Sequence, residues 1–167
     1  HLDTLGLIMI EQPFPVGTLT ATRDLLADFA TPVCLDGSLD SPAAVDDALA
    51  VGAFDVAAIK PGRLGGILPA LAVADRCRRH GRDTWHGGML ETGIGRAAAL
   101  ATAATDAFTR PADLSASDRY WATDLVTEPA TLRSDGTIAV PTGPGLGVDV
   151  DPSVLDDHTM SAQDCRR

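Results

Sequence analysis

The chain has 167 residues, 45% of them apolar, with a mean hydropathy of +0.09; that is enough to bury the core of one ordinary domain and excludes disorder for most of its length. Thirteen basic against 23 acidic side chains give a formal net charge of −10, which excludes a sequence-independent grip on nucleic acid or on an anionic membrane surface. No apolar run is long enough to span a bilayer.

In chain order, the apolar run LGLIMIE (5–11) predicts a buried strand ending at Glu11, followed by a helix over 18–30. PVCLD (32–36) predicts a second strand, ending at Asp36. The next helix, 42–51, carries its own punctuation, with Ser41 as N-cap, Pro42 at the first helical position and Gly52 just past the end. DVAAIK (55–60) is the third strand and ends in Lys60. A longer helix over 66–80 closes on Arg78, Arg79 and His80 before Gly81, cations at the negative end of the helix dipole. DTWHGG (83–88) is the fourth strand and ADLSAS (112–117) a weaker fifth. Past Tyr120 the pattern fades. Short β-like runs such as TIAV and the turn-rich PTGPGLG make 121–150 a return segment, and 151–167, with four aspartates and little apolar content, reads as a disordered tail.

The polar strand ends at Glu11, Asp36, Lys60, His86 and about Asp113 recur every 24 to 27 residues, the length of one strand, one crossover helix and two short loops. Such alternation means a parallel α/β sheet, either open and doubly wound or closed as a (β/α)8 barrel. Successive strands ending in Glu, Asp and Lys favour the barrel, where chemistry gathers at the C-terminal ends of several strands. The two prolines of IEQPFP stand where an open nucleotide-binding sheet would need a glycine-rich phosphate turn. The reading is thus of residues 1–120 as part of a barrel.

Glu11 and Asp36 on neighbouring strands would repel unless a proton or cation lies between them, and oxygen ligands of this kind suit a hard divalent ion such as Mg²⁺ or Mn²⁺. A helix cap or an arginine partner would explain the same residues without a metal. Lys60 is the only lysine in the chain, against twelve arginines. Where a proton must be taken and returned arginine will not serve, whereas a partly desolvated lysine near a metal can work as a general base. A metal beside an ammonium defines a class of reaction: removal of the proton next to a substrate carboxylate, with the enediolate stabilised by positive charge. His86 has no visible triad partner. GGMLETGIGR (87–96) offers glycines for close approach of backbone to a ligand or anion. Cys34, Cys77 and Cys165 lack the spacing of a zinc site or a disulfide framework and read as idle thiols of a reducing cytosol.

Taken in order and spacing, MIEQPFP, VCLDGS, AAIKPGRLGG, WHGGMLETGIGRAAALA and DLSASDRYW resemble the enolase superfamily, and within it the o-succinylbenzoate synthase / N-acylamino acid racemase branch. The resemblance runs from about residue 5 to 150. It implies that Glu11 and Asp36 are the second and third metal ligands and that Lys60 is the barrel lysine facing the substrate opposite the base on the metal side. It places Gly88, Met89, Leu90 and Tyr120 along the substrate pocket. The implied protein is a cytoplasmic, homo-oligomeric, Mg²⁺-dependent lyase acting on a small carboxylate in menaquinone synthesis; the alternative is an N-acylamino acid racemase using the same groups.

Several features depart from that branch. Its first metal ligand, its K-x-K lysine pair and its N-terminal capping domain have no counterpart here, and the chain opens on His1, so a processed or partial chain, inactive by itself, is expected. Gly37 stands where the family usually has Glu, and Ala58 where it often has Asn. Both changes bear on how Lys60 is oriented, and a barrel that has lost turnover is the reading they would support.

Overall fold

The computed structural model describes residues 1–163. The chain divides into two compact units, one of His1–Met89 with Ala103–Asp113, the other of Leu90–Thr102 with the residues from Leu114 onward.

The first unit is built on four parallel strands in the order β1-β2-β3-β4: β1 (Ile10–Glu11), β2 (Val33–Leu35), β3 (Val56–Ile59) and β4 (Asp83–His86). Between them run α1 (Leu19–Asp28), α2 (Pro42–Val51), the single turn α3 (Pro61–Leu64) and α4 (Ile67–Arg79). Among the described residues spatial order equals chain order, with no switch point of the kind an open doubly wound sheet requires.

The two faces of the sheet differ as a barrel wall demands. Leu35, Ala57 and Ile59 point outward into a core shared with Val45 and Ala48 of α2 and Ala70, Val73, Ala74 and Cys77 of α4. Cys34, Val56 and Ala58 point the other way, with Met9 and Trp85, into a small apolar cluster that receives no helix. Strands buried on both faces must be apolar throughout, which is why VCL and VAAI show no alternation. Parallel strands in chain order with helices packed on one face are the wall of a (β/α)8 barrel rather than an open doubly wound sheet.

Two predicted strands differ from those observed. Only Ile10–Glu11 of 5–11 pairs, while Leu2–Leu5 forms a 3-10 turn; β1 is an edge strand with β2 its one partner among the described residues. Residues 112–117 form no strand. Thr109 and Asp113 donate backbone N–H bonds to Thr84 and His86 of β4, but Pro111 between them has no N–H to give, and the ladder does not form.

In the second unit α5 (Gly93–Ala103, through Thr102) accompanies segments joined by isolated antiparallel bridges at Val126–Val150 and Leu132–Ile138. The tail is a correction. Pro152–His158 forms a helix, α6, because the Asp151 carboxylate accepts from the N–H groups of Ser153 and Val154 and Pro152 is preset for the first helical position. Residues 164–167 of the expected tail lie outside the described residues.

Candidate active site

Side chains alternate across a strand, so Glu11, Asp36, Lys60 and Gly87, each two residues beyond Met9, Cys34, Ala58 and Trp85, fall on the inner face at its C-terminal rim. The apolar lining ends there and the charged residues begin. Three residues predicted from sequence, Glu11, Asp36 and Lys60, are thus brought to one place.

Lys60 Nζ donates to Asp36 Oδ2 at 3.0 Å. The other carboxylate oxygen, Oδ1, lies 3.0 Å from Arg63 Nη2 in an ion pair without hydrogen-bond geometry, while Arg63 Nη1 donates to the Asp36 carbonyl at 2.6 Å. The side chains are largely withdrawn from water, with 14% of Lys60, 21% of Asp36 and 23% of Arg63 exposed. Arg63 was not predicted. Pro61 starts the single turn α3 directly after Lys60 and returns Arg63 toward the end of β2, a consequence of K-P-G-R that only the fold makes visible.

Burial raises the Glu11 carboxyl above its ordinary value of 4.5, and the carboxylates of Asp36 and Asp113 add to this against the opposing charges of Lys60 and Arg63. Like charge at neighbouring strand ends is what a cation would relieve. Glu11 and Asp36 are oxygen donors of the right chemistry for a hard divalent ion, but two carboxylates fall short of a complete set, and no group of three or more potential metal-ligating side chains occurs among the described residues. They fit part of such a site.

Gly87 explains the path of the lysine. A Cβ there would collide with Lys60 Cε and lie 3.0 Å from its Cγ. At Gly88 a Cβ would strike the Asp113 carbonyl, so both glycines are dictated by crowding within this unit. Met89, at the end of the unit, is half exposed. At Gly37, Val16 Cγ2 lies 2.9 Å from the position of a Cβ, and Ala58 sits among apolar side chains, so neither position offers Lys60 a polar partner.

Leu90 and Tyr120 belong to the second unit. Leu90 is exposed; Tyr120, with its hydroxyl 3.3 Å from Ser115 Oγ, has Arg96 and Arg119 guanidinium groups 5.9 and 6.0 Å from its ring centroid. The Ser115 hydrogen bond lowers its phenol below the ordinary value. The start of α5 is filled from within the chain, since Asp124 Oδ1 accepts from the Gly93 and Leu125 N–H groups at 2.6 Å. At Gly93 the backbone N–H that opens α5 is thus taken by a carboxylate of the same chain. His86 is a core residue, 1% exposed, packed 5.0 Å from the Phe108 ring, and burial lowers its pKa below the ordinary value.

The family model described as "Enolase C-terminal domain-like" matches residues 1–154. The chain is 49% identical over 161 residues to an N-succinylamino acid racemase from Amycolatopsis sp, covering 96% of this chain and 43% of the relative. It is 42% identical over 158 residues to the o-succinylbenzoate synthase of Bacillus subtilis (strain 168), covering 93% and 42%. A crystal structure of an enolase-superfamily member from Listeria innocua superposes with a TM-score of 0.90 at 39% identity, covering 96% of this chain and 43% of that one. The chain thus spans less than half the length of the relatives it matches. On the match of 1–154 and on these identities, the chain belongs to the enolase C-terminal domain-like family of the enolase superfamily.

Proposed function

We propose that this chain supplies two carboxylates and one ammonium to an active site that removes the proton next to a substrate carboxylate, in a lyase of the o-succinylbenzoate synthase type. The observation that carries the reading is the Lys60 side chain, threaded past Gly87 and held 3.0 Å from Asp36 at the rim of the inner face.

As the proton passes to the base that the family likeness implies on the metal side, its bonding electron pair moves into the carboxylate and a second negative oxygen develops. Lys60 places a fixed positive charge beside that oxygen, in a setting where water is largely excluded and the charge is little screened. The same base returns the proton to the neighbouring hydroxyl, which leaves as water while the electron pair of the enediolate forms the new carbon–carbon double bond and completes the dehydration. Glu11 and Asp36 would hold a divalent cation, Mg²⁺ or Mn²⁺, which when bound supplies further positive charge to the substrate carboxylate. Asp36 also orients Lys60 and, with Arg63 on its other side, is itself kept in place.

Gly88 and Met89 are the substrate-lining candidates that continue from β4, and Leu90 and Tyr120 are candidates by motif, each exposed within its own unit. Menaquinone synthesis, a cytoplasmic setting and a homo-oligomeric assembly belong to the lyase reading through the family likeness. No helix among the described residues is long and apolar enough to cross a membrane.

A second reading, racemisation of an N-succinylamino acid, is favoured by the 49% identity to a relative of that name. There Lys60 would exchange the proton from one face of the same carbon. The two are separated by assaying the full-length protein, with and without a chelator, for dehydration of the cyclohexadiene substrate and for loss of optical rotation of an N-succinylamino acid. Activity in either assay that chelation abolishes supports the shared first step; activity in neither assay would mean a barrel without turnover.

A further inference from the structure

We infer that Gln12 is a positioning residue that fixes Glu11 and Asp36 relative to each other and thereby sets the divalent-cation affinity of the rim, an inference that rests on the reading of those two carboxylates as cation ligands. Gln12 follows Glu11 directly and has a φ of 42°, the only non-glycine residue in the left-handed region among the described residues. Its backbone N–H still donates to Cys34 O at 2.8 Å, the last link between the ends of β1 and β2. The left-handed turn comes immediately after that link.

The side chain then bonds to both strand-end loops. Oε1 accepts from the backbone N–H groups of Asp36 and Ser38, both at 3.1 Å; Nε2 donates to Ser38 Oγ at 3.0 Å and to Phe14 O at 2.9 Å. Every hydrogen-bonding position of the amide is used. Ser38 Oγ in turn accepts from Gly17 N–H at 3.2 Å, tying the far end of the loop that follows β1 into the same clamp.

A glutamine in this conformation is strained, and such strain persists only where the surroundings impose it. Glycine would make the turn without strain but without a clamp. The clamp has an evident use: Glu11 and Asp36 carry like charge on adjacent strands, and loops free to yield would let them drift apart. Joining the residue after Glu11 to the backbone of Asp36 holds the pair at one separation with or without a cation, so that binding does not have to order them.

The test uses the full-length protein and Mn²⁺ as the probe. Gln12→Gly keeps the backbone turn and removes the amide. In the metal-free protein the Asp36 and Ser38 amides should lose their protection against hydrogen exchange while the melting temperature in chelator stays close to that of the parent. The Mn²⁺ dissociation constant should rise by about tenfold or more. Ser38→Ala, a milder change that takes away one acceptor, should raise it by a smaller factor, about two to five, and decides the matter if Gln12→Gly does not fold. Faster exchange with a dissociation constant within about twofold of the parent in the folded variants would overturn the inference and leave the cation site standing. Absence of Mn²⁺ binding by the parent would overturn both.

Discussion

Gly87 lacks a side chain because Lys60 occupies the space one would fill. Gly87→Ala should therefore leave the fold in place, push Lys60 off Asp36, and lower kcat/KM of the full-length protein by roughly a hundredfold, since ångström-scale misplacement of a charged group has costs of that order; unchanged kinetics with a normal melting temperature would show that Lys60 has another route. Glu11 gives a second test through pH. Its proton is held more tightly in the folded chain than in the unfolded one, so the native state binds more protons between the ordinary 4.5 and the raised value. Metal-free stability then rises as pH falls through that raised value, and ionised Glu11 is a cost at neutral pH. Glu11→Gln should melt higher than the parent at pH 7 in chelator, lose that advantage below the ordinary value of 4.5, and bind Mn²⁺ more weakly. A melting temperature unchanged across that range would remove the buried-charge explanation. Lys60 was legible in the sequence because a sole lysine ends an apolar run. Arg63 is one of twelve arginines, and nothing in its neighbourhood marks it until α3 turns it back toward Asp36. Gln12 was equally hidden, since its four bonds join loops 24 to 26 residues apart as well as its own.

At the scale of single elements, local chemistry was readable and pairing was not. The bounds of α2 coincide with those expected because every determinant is adjacent in the chain: Ser41 Oγ accepts from Ala44 N–H at 3.2 Å, Pro42 begins the helix, and Gly52 closes it at a φ of 72°. Ser41→Ala should cost about 1 kcal/mol, read as a lower urea midpoint with an unchanged slope. A changed slope would mean that the cap also shapes the unfolded state. Strands depend on partners elsewhere, which is why 5–11 shortens to Ile10–Glu11 and 112–117 fails to pair. The α6 helix escaped notice for a different reason. Acidic composition over 151–167 outweighed the Asp151–Pro152 start signal that the helix obeys.

For the molecule as a whole, the regular spacing of polar strand ends carried the most information, because it implied both a parallel sheet and a functional rim. The unbroken order of the strands bears out the parallel sheet. What the period could not convey is the division into two compact units, which depends on contacts that have no sequence period. The central claim concerns Lys60 as the charge that stabilises the developing dianion, and the most direct measurement compares Lys60→Arg with the parent in the full-length protein. Arginine keeps the charge and cannot return a proton. The account predicts dehydration reduced by about one to two orders of magnitude yet measurable, with racemisation abolished. Racemisation at the parent rate in the Lys60→Arg protein would contradict it.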